Sequence, residues 1–155
     1  MTGRLLGIAR HGRARGPMET LDHVSVSVEG GLSGDFRGAV KPGGRGRRQV
    51  SLMQADHWAA AMVELGHDLP WWHRRCNLLV DGIALPRIPG SLLRIGDVVI
   101  EITQECDPCS RMEEILPGLR AVLTPDWRGG ALGRVLAGGE IRVGDEIAQG
   151  GRENY

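Results

Sequence analysis

The sequence predicts a mainly β protein, a closed or half-closed β-barrel with two or three helical inserts. Three observations point there. Short apolar segments recur with period-two alternation, only two stretches carry helical signals, and glycine supplies 24 of 155 residues, enough for tight turns between many short strands.

Taken in order, "LLGIAR" (5–10) is a candidate strand, and "HVSVSVEG" (23–30) is a second with alternating Val24, Val26 and Val28. The stretch 37–47, "RGAVKPGGRGR", is too rich in Gly and Pro for a regular element and is expected to be loose without a ligand. "RQVSLM" (48–53) is a third strand. "QADHWAAAMVEL" (54–65) is alanine-rich, has apolar residues at helical spacing and stops before Gly66, a suitable C-terminal cap. "NLLVDG" (77–82) is a fourth strand. "LLRIGDVVIEI" (92–102) and "EIRVGDEIA" (140–148) each place a Gly-Asp turn between β segments, so they look like one hairpin device used twice. Between them, "SRMEEIL" (110–116) opens on Ser110 with Glu113 three residues later, the capping-box pattern, and Pro117 ends the helix. The closing "QGGRENY" reads as frayed: residues 1–150 form a single domain and residues 151–155 a tail.

The totals narrow the function. Arginine and lysine balance aspartate and glutamate at 19 each, and Tyr and Phe occur once each, which argues against a nucleic-acid platform and leaves only local anion sites. No apolar run is long enough for a membrane span, and the N-terminus lacks the pattern of a secretory signal, so a cytoplasmic location is expected. Three cysteines, an odd number, fit free thiols in a reducing compartment.

Cys106 and Cys109 form a Cys-x-x-Cys pair with three readings. A structural zinc site needs four ligands, and besides Cys76 and the scattered histidines (His11, His23, His57, His67, His73) no second paired motif exists. His57, on the long helix, reads as a partly buried surface residue. A thioredoxin-like dithiol places its first cysteine at a helix N-terminus, whereas here the helix begins only after the second. The third reading is one thiolate at Cys109, just ahead of the expected cap Ser110, where free amides favour the anion; Cys106 is then a bystander. Three Arg/Gly stretches could approach an anion: Arg45, Arg47 and Arg48; Arg74 and Arg75; and Arg128 before two glycines.

Read in order, "LLGIARHG", "EGGLSGD" (29–35), "RQVSLM", "RRCNLLVDGIAL" (74–85), "GSLLRIGDVVIEIT", "DPC" (107–109) and "RGGALGRVLAGGEIRVGDEI" resemble a MOSC domain of the single-domain bacterial type, the family named after the C-terminal domain of molybdenum cofactor sulfurase. The resemblance covers nearly the whole chain and implies a β-barrel. It implies molybdenum cofactor (molybdopterin) as ligand, with Cys109 as sulfur carrier or metal ligand, Arg75 and Asn77 gripping the pyranopterin, and Arg48 with its neighbours as a phosphate contact; Arg128, from its own Arg/Gly stretch, is a further cofactor-binding candidate. Family attributes that come with it are molybdenum ion binding and pyridoxal phosphate binding, although no pyridoxal-phosphate domain, extra N-terminal barrel or iron–sulfur domain is recognisable here. It further implies either sulfur transfer to a metal centre or reduction of N-hydroxylated substrates, with a separate protein as electron or sulfur donor. The alternative is a non-enzymatic carrier of sulfur or cofactor for a partner enzyme.

Overall fold

The computed structural model describes residues 2–150; the expected tail at 151–155 lies outside them. Eleven strands occur among these residues: β1 (Thr2–Arg10), β2 (Glu19–Leu21), β3 (His23–Ser27), β4 (Gly31–Leu32), β5 (Val50–Gln54), β6 (Leu78–Asp81), β7 (Leu92–Ile95), β8 (Val98–Glu105), β9 (Ala131–Ala137), β10 (Gly139–Arg142) and β11 (Glu146–Gln149). Three helices join them: α1 (Ala55–Leu65), α2 (Ser110–Ile115) and α3 (Leu119–Leu123).

Seven strands run β11-β7-β8-β9-β5-β6-β1, and β1 pairs back onto β11 with Gly3 opposite Ile147, so the barrel is closed and has no open seam. Strand β2 extends β1 outward, and β10-β3-β4 form a second, three-stranded sheet. Alternation does the sorting. Val24 and Val26 of β3 point into the core, with Leu5, Ile8, Leu52, Leu78, Ile95, Ile100 and Ile147 from the barrel strands.

Among the described strands only β5 and β6 pair in parallel, Leu52 opposite Leu78, and parallel neighbours need a long crossover. That crossover is α1 followed by a 3₁₀ turn, Trp71–Arg74. The helix ends as expected, at Gly66 with φ 67°, where the Gly66 and His67 amides donate to the Val63 and Met62 carbonyls. Helices cover one flank of the barrel, so β5 and β6 are buried on both faces: Met53 and Leu79 pack outward against Trp58, Met62, Met112, Leu119 and Leu123. Among the described residues no helix is long and apolar enough to cross a membrane.

Two local expectations are corrected. The Gly-Asp turn at Gly96 closes a true hairpin, Ile95 opposite Val98. Its twin at Gly144 does not, because β10 pairs with β3 while β11 pairs with β1 and β7. There the Gly144 amide donates to the Leu5 carbonyl and the Leu5 amide to Asp145, so the turn is a corner that passes the chain from the small sheet to the barrel. The capping box is also absent from α2. Cys109 occupies the cap position with no side-chain hydrogen bond, and the Glu113 carboxylate instead accepts the amides of Gly118 and Arg120 at 3.2 and 3.1 Å, which caps α3.

Candidate functional site

The site lies at one end of the barrel, where β1 and β8 finish and β6 and β9 begin. A cavity of about 300 Å³ opens there. Arg48, Arg75, Asn77 and Cys109, from three separate stretches of the chain, all line it. Arg128 is not brought to it. Its guanidinium is held on the helical flank by Glu64 of α1 and by the Val122 carbonyl, so the convergence expected of three arginine stretches reduces to two.

The cavity walls carry six arginines (Arg15, Arg37, Arg48, Arg74, Arg75, Arg111) and two aspartates, Asp35 and Asp107. The only ion pair an arginine of this set makes among the described residues joins Arg15 to Glu114 at 3.4 Å, on an exposed surface. Positive charge is therefore concentrated and largely uncompensated. Arg75 registers it: burial first, then the charges of Arg111 and Arg15, draw its pKa below the ordinary arginine value. Its backbone is left-handed, φ 67°, just past the 3₁₀ turn, and its guanidinium donates to the Gly16 carbonyl at 2.7 Å.

Asn77 has a different occupation. Its Oδ1 accepts the Ser51 amide and hydroxyl at 3.0 and 3.2 Å, and its Nδ2 donates to the Ala9 carbonyl at 3.1 Å. Both ends of the amide are thus committed to tying β1, β5 and the start of β6 together at the cavity wall, and it shapes the site more than it reaches into it.

Arg74 escaped the sequence reading as an individual. It is 6 % exposed, and its guanidinium donates to the carbonyls of Gly129 and Cys106 at 2.9 Å each and to the Cys106 sulfur at 3.3 Å. Gly129 is required for this approach, since a Cβ there would fall 2.6 Å from the Cys106 carbonyl and 3.2 Å from Arg74 Nη2. The only advance signal was the neighbouring "RR" and "GG" pairs, which do not reveal that they meet.

The three thiols differ in environment. Cys76 is wholly buried, and desolvation pushes its pKa up to about 12, keeping it protonated and inert. Cys106 is buried against Arg74 but lines the cavity, while Cys109 is exposed at its mouth. Among the described residues no three His, Cys, Asp or Glu side chains are grouped to hold a metal ion.

His11 and Asp35 are further unanticipated liners. His11 follows β1 and sits beside Asp35, both buried, with Nδ1 3.8 Å from the carboxylate. A second groove of about 320 Å³ adjoins the cavity, shares Arg75 and Arg111 with it, and is walled by Pro17, Met18, Trp72, His73 and Ile115. There the His73 ring stacks on Trp72 at 6.4 Å.

A family model described as "MOSC domain" matches residues 26–148. No curated protein matches the chain. Among solved structures, the YuaD protein from Bacillus subtilis is similar with a TM-score of 0.78 at 20% identity, over 95% of this chain and 94% of that one. YiiM from Escherichia coli is similar with a TM-score of 0.68 at 17% identity, over 98% of this chain and 72% of that one. YiiM from Geobacillus stearothermophilus gives 0.67 at 18% identity, over 97% and 74%. At these identities the likeness shows a shared fold.

Proposed function

This chain belongs to the MOSC domain family, and on that premise we propose that it binds molybdenum cofactor in the arginine-lined cavity, with Cys109 as the thiolate that ligates the metal or carries sulfur. The observation that carries the reading is the joint lining of one cavity by Arg48, Arg75 and the exposed thiol of Cys109, in a wall with six arginines against two aspartates.

The residues present suit such a group. A phosphate finds guanidinium forks on Arg48 and Arg111, which line the cavity. A soft metal brought in by the cofactor would find one exposed sulfur donor, Cys109, the other lining thiol, Cys106, being buried against Arg74. The adjoining groove, with Trp72 and His73, offers planar faces for the remainder of a ligand too long for the cavity alone. When bound, the cofactor would supply a metal centre for oxygen-atom or sulfur chemistry. The chain's own part is to neutralise the anionic end with Arg48, Arg75 and Arg111, to hold the wall rigid through Asn77 and Arg74, and to present Cys109 at the mouth.

The reactions that fit are reduction of N-hydroxylated compounds and metal–sulfur transfer, with electrons or sulfur from a separate cytoplasmic protein. A carrier role without turnover is the second reading, and the exposure of Cys109 favours it, because a partner can reach a group held there. Protein expressed in a host that makes the cofactor separates these. The enzyme reading expects molybdenum near stoichiometric with protein and reduction of N-hydroxylated bases, both abolished by Cys109→Ala and kept by Cys106→Ala. Metal retention without turnover supports the carrier, and metal content, turnover and bound sulfur all unaffected by Cys109→Ala overturn both.

A further inference from the structure

The end of β1 is pinned by the segment that follows β4. The His11 amide donates to Asp35 Oδ1 at 3.2 Å, the Phe36 amide donates to the His11 carbonyl at 2.7 Å, and the Phe36 ring lies 5.9 Å from the imidazole. Upstream, Arg10 binds Glu19 and the Ser33 carbonyl. The "GLSGD" stretch thus clasps His11 in place at the wall of the arginine cavity.

Such firm placement leaves the ring unsatisfied. His11 is 8 % exposed, and its Nδ1 is buried with no hydrogen-bond partner. A buried nitrogen in that state costs free energy unless a change of state satisfies it. Asp35 Oδ1 lies at 3.8 Å from that nitrogen, on the far side of a normal hydrogen bond but close enough to attract a positive ring. The charged groups that face the ring are Asp35 and Arg37 from the segment after β4 and Arg75 just past the 3₁₀ turn; Arg15, Arg48, Arg74, Arg111 and Asp107 complete the same wall.

We propose that His11 is the acid of this cavity: an oxyanion dianion such as a phosphate-monoester head enters together with a proton, which the imidazole takes up so that Nδ1–H faces Asp35 and Nε2–H donates to the anion. The balance is one dianion plus one proton from solvent, giving an imidazolium between two negative groups, with no bond broken and no redox partner needed. In the empty cavity, burial disfavours the charged ring most, Asp35 favours it, and Arg75 and Arg37 disfavour it, so its pKa lies below the ordinary histidine value. A bound dianion cancels the arginines' share of that effect and adds an attraction, so uptake occurs at pH values between the pKa of the free ring and the higher one of the liganded ring.

The inference rests on reading the cavity as an anion site, and the test distinguishes the two. Sulfate is the probe, because it stays fully ionised and brings no proton of its own. Calorimetric titration of the intact protein, repeated in buffers of different ionisation enthalpy from about pH 8 to about pH 5.5, reports affinity and proton uptake together. Wild type should bind more tightly as pH falls, by up to about tenfold per pH unit within the window, with uptake approaching one proton per sulfate. His11→Gln should bind with nearly pH-independent affinity and no uptake. Imidazole nitrogen shifts of labelled wild type, with and without sulfate, give the same answer without a variant: the His11 midpoint should rise on binding. Sulfate binding with no uptake, uptake that survives His11→Gln, or an unmoved midpoint overturns the role of His11 and leaves the anion site standing. Failure of sulfate to bind anywhere in the range overturns both.

Discussion

A guanidinium buried as deeply as Arg74 must find its hydrogen bonds within the protein, and it finds them in the Gly129 and Cys106 carbonyls. Arg74→Met keeps much of the volume and strands those carbonyls, so it should lower stability by about 2–4 kcal/mol in urea unfolding, since several bonds to a charged donor are lost. Cys76 makes a different test. Its folded pKa of about 12 exceeds that of an unfolded cysteine near 8.5, so the native thiol keeps its proton where the unfolded one has lost it. The associated stability is complete below the unfolded pKa and is lost as pH rises toward 12, at up to about 1.4 kcal/mol per pH unit. Unfolding free energy measured from about pH 8 to about pH 11 should fall less steeply in Cys76→Ala than in wild type. Of the site residues, Cys109 and the arginine stretches holding Arg48 and Arg75 were picked out by their local motifs, and Asn77 by the family resemblance; all four line the cavity. His11, Asp35 and Arg74 were not singled out, because a lone histidine and a lone aspartate carry no local signal and the partners of Arg74 lie 32 and 55 residues away.

At the scale of elements, the same peptide pattern gave two outcomes. Both Gly-Asp turns place glycine at positive φ, 58° at Gly96 and 101° at Gly144, so local turn chemistry was read correctly in each. What differs is the strand that follows, and long-range pairing with β1 and β7 decides that. The acidic residue three positions after Ser110 was likewise read as serving its own helix and serves the next one. Glu113→Ala should therefore leave α2 in place and loosen α3, at a cost of about 0.5–1.5 kcal/mol, with faster amide exchange at Gly118 and Arg120 as the local readout. Gly130 is stricter. With φ 101° and room so tight that a Cβ would sit 2.1 Å from the Leu52 carbonyl, Gly130→Ala should lower the melting temperature well beyond an average surface substitution.

For the molecule as a whole, barrel closure by β1 and β11 makes one end of the sheet a rigid ring, and the cavity is built from what protrudes there. Segments from His11 to Leu132 meet at that rim, so no contiguous motif encodes the site. Period-two alternation and turn residues made the barrel legible; the rim was not, because convergence is a property of closure and register. Closure also accounts for the concentration of arginines, each tolerable where its own segment lies and crowded only after folding. On the function proposed above, this crowded positive rim would hold an anionic molybdenum cofactor, with Cys109 as metal ligand or sulfur carrier. Crystals of protein loaded in a cofactor-producing host, measured on both sides of the molybdenum absorption edge, test it directly. One anomalous peak is expected within bonding distance of the Cys109 sulfur, beside Arg48 and Arg75, and none in Cys109→Ala. A peak elsewhere on the barrel, or one that persists in the variant, would contradict it.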